Sequence, residues 1–154
     1  MNNPIQKHHK YRLSSSKKFD NLVIKKFKNL HKNNVNNNKN FELLEELNKE
    51  FSTFNIMHPI RVSFYSTLFF KRNFNLINLS LFHNLFEIKK INKIKYIKLL
   101  GKKLTDEIKI LTIDNKKKFN SKYIVKYYKK INSSSDTIQK VKCLDKFDNL
   151  YNLK

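Results

Sequence analysis

A single glycine, Gly101, serves all 154 residues, and alanine is absent. A backbone that wraps a phosphate needs several glycines at fixed spacing, because only glycine leaves room where chain and ligand touch and adopts left-handed conformations freely. No glycine-rich loop of the dinucleotide or P-loop kind can be built here, which disfavours nucleotide enzymes of those classes. Cysteine is as sparse. Cys143 stands alone, so neither an internal disulfide nor a cysteine zinc cluster is available, as in a reducing compartment, and it reads as a small apolar side chain on a helix.

Thirty-three basic residues against twelve acidic ones give a formal net charge of +21. Such a chain repels itself and attracts polyanions, either nucleic acid or an anionic membrane. The excess of Lys, Asn, Ile, Phe and Tyr follows AT-rich codons, which also explains why arginine is confined to Arg12, Arg61 and Arg72. Codon bias does not explain the scarcity of acids, so the sign of the charge stays informative. No run reaches the roughly 20 apolar residues of a spanning helix; the longest, Leu76 to Ile88, is interrupted by Asn78, His83, Asn84 and Glu87. The first nineteen residues are basic, with Ser14 to Ser16 and no acids. They are poor in arginine and lack an apolar face, so an extension is expected there rather than an import peptide.

Residues 1–55 read as a basic N-terminal extension. Phe19, Leu22, Val23, Phe27 and Leu30 fall on one helical face, and the asparagine-rich linker from His31 to Asn40 follows. A second helix, capped by Asn40, places Leu43 or Leu44, Leu47 and Phe51 opposite Glu42, Glu45, Glu46 and Glu50. Residues 56–154 read as one domain. Ile60, Val62 and Phe64 alternate with Arg61, Ser63 and Tyr65 as in a half-buried strand. A helix apolar nearly all round follows, from Phe70 to Ile88, while Ile91 to Leu100 fits either state. Ile108 to Ile113 and Tyr123 to Ile131 read as strands joined by a projecting connection, with Tyr123, Val125 and Tyr127 on the core face. Asp136, with Gln139 three residues on, opens a helix bearing Ile138, Val141 and Leu144, and a short edge strand ends the chain. This order, β-α-β-β-α-β, is the ferredoxin-like split βαβ arrangement, an α+β fold.

Enzyme chemistry would require a nucleophile beside a base, paired carboxylates or a clustered metal set. His8, His9, His31, His58 and His83 include no helical i, i+4 pair of the zinc type and read as structural or solvated histidines. The expectation is a non-catalytic chain with no cofactor, no metal and no small-molecule substrate. Between Asp114 and Ile131, by contrast, seven lysines interleave with Phe119, Tyr123, Tyr127 and Tyr128. RNA contact uses that composition, with ammonium groups on phosphates and rings on unpaired bases.

The block Ile110, Leu111, Asn115, Lys116, Tyr123, Val125 and Lys126, with the opening IRVSF and a helix start at Asp136 and Thr137, resembles the ribosomal protein ten family of the small subunit. The likeness spans Ile60 to Leu153, and LLGKKLT stands where the family has a proline-rich segment. The resemblance implies the ferredoxin-like fold with an elongated hairpin and a structural role in the small-subunit head. It further implies binding to ribosomal RNA and neighbouring head proteins, without catalysis. The RNA-binding residues are then Arg61, Lys102, Lys103, Lys116, Lys117, Lys118, Lys122, Lys126, Lys129 and Lys130. AT-rich composition and the basic extension favour a mitochondrial ribosome in the matrix, encoded in the organelle. The alternatives are a free-standing single-strand RNA or DNA binder and a structural subunit of an organellar membrane complex.

Overall fold

The computed structural model describes residues 17–29, 35–51, 55–70 and 73–152. The sequence expectations for His8, His9 and His31 lie outside that set. The described residues contain eight α-helices, one 3-10 turn and no strand.

Helix α1 (17–29) buries Val23 and Phe27, four residues apart, and α2 (Val35–Glu50) buries Phe41, Leu44 and Leu47 at spacings of three. Such stripes face a core and leave the other side to charge. Phe27 meets Phe41 with ring centres 6.0 Å apart, and Lys28 reaches Glu45 at 3.5 Å. The helix expected to start at Asn40 begins five residues earlier; Asn40 lies within it and donates from Nδ2 to Asn78 Oδ1 at 2.8 Å. The buried residues of α1 and α2 belong to the same core cluster as those of the rest of the chain.

Helices α3 (Met57–Phe69) and α4 (Phe74–Phe82) form the centre. Pro59 falls in the first turn of α3, where its missing N–H leaves no intrahelical bond unmade. Every residue from Pro59 to Ser66 is buried, as are five of the last six of α4 together with Leu76. Ser63 donates to the Ile77 carbonyl at 3.2 Å, tying the two helices together. After the 3-10 turn Leu85–Glu87 come α5 (Lys93–Leu100) and α6 (Lys102–Leu111), separated only by Gly101 at φ +80°, then α7 (Ser121–Asn132) and α8 (Asp136–Asn152). Helix α8 packs on α3, α4, α6 and α7. Asn73, Asn92 and Asn120 cap α4, α5 and α7 by accepting from the backbone N–H three residues on.

The fold is therefore all-α, not α+β, and the ferredoxin-like frame with its elongated hairpin is absent. Ile60 to Tyr65 lies within α3, Ile108 to Leu111 within α6, Tyr123 to Ile131 within α7, and the expected edge strand from Asn149 is the last turn of α8. The alternation over Ile60 to Tyr65 misled because both alternating sets are buried. In α7 the residues facing inward are Tyr123, Tyr127 and Ile131, four apart, while Val125, expected beside Tyr123 and Tyr127, is 55% exposed. The β-branched and aromatic residues were abundant through codon usage rather than as a strand signal, so their enrichment lost its discriminating power. Ser135 rather than Asp136 precedes α8, and its carbonyl accepts from the Gln139 N–H at 3.1 Å.

Candidate metal centre

Three elements converge on one buried polar cluster. Helix α3 supplies His58 and Arg61, one turn apart; the residue after α4 is His83; α8 supplies Lys142, Asp145 and Asp148. On α8 the buried stripe reads Ile138, Val141, Asp145, Asp148, so two carboxylates continue an apolar face into the core.

The hydrogen bonds define which atoms meet. His83 Nδ1 lies 2.7 Å from the Ser80 carbonyl, which only accepts, so that nitrogen carries the proton. His58 Nδ1 lies 2.7 Å from Asp148 Oδ2 and likewise donates. Both rings therefore turn their Nε2 atoms inward, 3.1 Å apart. Asp145 Oδ1 completes the group, 3.1 Å from His58 Nε2 and 3.7 Å from His83 Nε2. Three electron-rich atoms at such separations require a proton or a cation among them.

The surrounding residues hold this arrangement. Asp148 accepts from Arg61 Nε at 2.8 Å and from a second guanidinium nitrogen at 3.0 Å, and Arg61 also reaches Asp20 on α1 at 2.9 Å. Asp145 accepts from Lys142 at 2.8 Å and from Asn149 at 2.8 Å. Burial opposes the charged form of His58, yet its contacts with Asp145 and Asp148 outweigh that and raise its pKa above the ordinary value. Burial alone would raise both aspartates; hydrogen bonds with His58 and His83, aided by Lys142, hold Asp145 well below the carboxylate range, and those with His58 and Arg61 lower Asp148.

A cavity of about 530 Å³ opens beside the cluster, lined by His58, Arg61 and Asp148 together with Asn84, Glu87 and Lys89. Glu87 accepts from the Ile113 N–H at 3.2 Å, and burial raises its carboxyl above the usual value. Among the described residues, His58, His83 and Asp145 form a group able to hold a metal ion, each offering one ligand atom.

Comparison with protein-family models, curated proteins and solved structures finds no match. The donor set itself then determines what the centre can do. Two imidazole nitrogens and one carboxylate oxygen suit a first-row divalent cation of intermediate softness.

The residues expected to bind RNA are placed elsewhere. Arg61 is buried and its guanidinium is engaged by Asp20 and Asp148. Lys102 and Lys103 lie exposed at the start of α6, Lys116, Lys117 and Lys118 on the turn before α7, and Lys122, Lys126, Lys129 and Lys130 on the exposed side of α7. Sequence reasoning passed over His58, His83, Asp145 and Asp148 as a set. A usable signal was present: a histidine inside an apolar helix, and two acids falling on the buried stripe of another.

Proposed function

We propose that the protein is a metal-dependent hydrolase of phosphate esters, with His58, His83 and Asp145 holding one divalent cation. The observation that carries this reading is the convergence of the two Nε2 atoms and Asp145 Oδ1. Ligands about 2.0–2.1 Å from a tetrahedral ion stand about 3.3 Å apart; the three separations here are 3.1, 3.1 and 3.7 Å. Each ring is oriented through its other nitrogen, by Asp148 or by the Ser80 carbonyl, as ligating histidines require. Three protein ligands are the number found in catalytic sites, which keep one position for water or substrate.

A cation there supplies Lewis acidity and lowers the pKa of a bound water. The chain's own groups do the remainder. Lys89 and the amides of Asn84, Asn115 and Asn149 line the cavity and match the charge and acceptors of a phosphate. Glu87 lines the same cavity, and burial raises its carboxyl above the usual value, which suits it to pass a proton to the leaving oxygen.

Calorimetric titration with Zn²⁺ or Mn²⁺ tests the reading. One ion per chain is expected for the parent and none for His83→Ala, with metal-dependent hydrolysis of bis(p-nitrophenyl) phosphate by the parent alone. A parent that binds neither ion overturns it.

A second reading keeps the chain as a non-catalytic constituent of a mitochondrial small ribosomal subunit bound to ribosomal RNA. The observation favouring it is the run of exposed lysines on α7 and the turn before it. Retention on small subunits through a high-salt wash tests it.

A further inference from the structure

A second cavity, of about 630 Å³, adjoins the first, and the two share Glu87, Ile88, Lys89 and Asn115 as walls. Together they form one trough leading away from His58 and Asp148. The second cavity is lined further by Lys90, Lys93, Lys109, Lys116 and Tyr123. Among the described residues, only Lys109 of these four lysines is ion-paired. Asp114 accepts from the Lys116 N–H and pairs with Lys117 at 3.5 Å, Lys109 pairs with Asp106 at 2.7 Å, and Glu87 is turned to the Ile113 N–H. Lys90 adopts φ +63°, a left-handed conformation that a lysine takes at some cost. Such conformations gather at ligand-binding segments. In the turn after Lys116, Phe119 is 90% exposed, with the Lys118 ammonium 5.1 Å from its ring centre.

Through their shared walls the two cavities join His58 to a lysine-rich lining, and an exposed aromatic ring, Phe119, follows Lys116 by three residues. Grooves that bind single strands combine those two features, charge that follows the backbone and rings on which bases stack. We infer that the trough binds a single-stranded nucleic acid, placing one phosphodiester beside His58, the member of the centre that lines it. Neighbouring phosphates then lie on Lys89, Lys90, Lys93 and Lys116, and the exposed Phe119 ring offers a face to a base. The inference rests on the hydrolase reading for the identity of the centre, and it narrows the substrate from phosphate esters to strands.

The test measures binding of a fluorescent 12-nucleotide uridine strand by anisotropy across a salt series, beside adenosine monophosphate and vesicles containing phosphatidylserine as competitors. The variant is Lys90→Gly, Lys93→Gln, Lys116→Gln. Glycine at position 90 accepts the left-handed backbone, so the fold is spared. Each lost phosphate contact lowers the slope of log K against log salt by about 0.7 on a single strand, so the triple variant is expected to bind roughly ten- to hundredfold more weakly near 0.1 M salt. Strand binding that is tight in the parent, weakened in the variant and indifferent to the mononucleotide supports the inference. A strand bound no more tightly than the mononucleotide, a variant that binds like the parent, or displacement by vesicles overturns it. Titration of parent and variant with Zn²⁺ reads the centre separately. Intact metal binding with no strand preference sinks this inference alone, whereas a parent without metal affinity sinks the hydrolase reading.

Discussion

The buried cluster and the outer side of α7 are built from the same kinds of charge, yet they behave oppositely. At the cluster Arg61 and Lys142 are each matched by a carboxylate at 2.8 Å, with burial on all sides. On α7, Lys122, Lys126, Lys129 and Lys130 stand in solvent and answer to nothing folded. A charged group in low dielectric either finds its partner or destabilises the fold, while one in water contributes little in either case. Composition therefore says where charge is plentiful, and burial says where it is specific.

The largest effects should come from the core beneath the cluster. Val62 is fully buried in α3, and Val62→Asp sets an unpaired carboxylate there, so loss of soluble, folded protein is expected. Asp148→Ala comes next. It leaves the Arg61 guanidinium buried without its principal partner, which costs about 3–5 kcal/mol, to be read as a fall in the urea midpoint. An unchanged midpoint would dissolve the contrast between the two regions at its strongest point.

Val125→Pro probes the other region. Val125 is exposed in the middle of α7, so nothing is lost in packing, but proline in a helix interior costs about 3 kcal/mol. Lower helical circular dichroism and melting temperature are expected, with Val125→Ala close to the parent. Had this segment been a half-buried strand with Val125 on its core face, the alanine variant would be the damaging one.

Several elements were legible in the sequence. The helices bearing Phe19 to Phe27, Leu44 to Leu47 and Ile138 to Leu144 show a 3.6-residue stripe of apolar residues against polar ones, and each is a helix. Reading failed where that contrast vanished. Ile60 to Tyr65 is buried on every side and so has no period to read. Tyr123 to Ile131 does carry a four-residue period, but its aromatic and β-branched content invited a strand. The lone glycine argued against hairpins too, since tight two-residue turns depend on glycine or asparagine–glycine pairs. For the cluster, the residues were visible and their meeting was not. His58 and His83 are 25 residues apart, and Asp145 lies 62 beyond His83; only the packing of α8 across α3 and α4 brings three atoms within 3.7 Å.

Protonation of His58 offers a smaller, reversible probe of the same contrast. Its pKa is raised in the folded protein, so the stability it adds without metal is fully present below its unfolded value of 6.5 and is lost as pH rises through the folded value. Asp145 and Asp148 are lowered, so theirs is present above the unfolded 3.8 and is lost as pH falls through the folded values. Without metal, the melting temperature should thus hold between about pH 4 and 6.5 and decline above. A bound cation takes the place of the inward proton, so with saturating Zn²⁺ the melting temperature should rise over the interval in which it otherwise falls. His58→Asn should flatten both profiles. Identical profiles with and without Zn²⁺ would show that the inward proton, not a cation, is what the three atoms share.

The smallest effect is expected at Lys116, Lys117 and Lys118, all exposed on the turn that leads into α7. Lys117 pairs with Asp114 at 3.5 Å across a solvent-facing turn, and Lys118 lies over the exposed Phe119 ring. Both contacts are wet and flexible, and pairs of that kind contribute little to stability. Replacing all three by Gln also removes three of the charges behind the +21 self-repulsion. The melting temperature should therefore move by no more than about 2 °C in either direction. The turn's value lies in what approaches from outside, so polyanion affinity should fall even though the melt does not, and fall less steeply with salt. A melt that drops by as much as Asp148→Ala lowers it would mean that these lysines are structural, and the division between matched and unmatched charge would not hold.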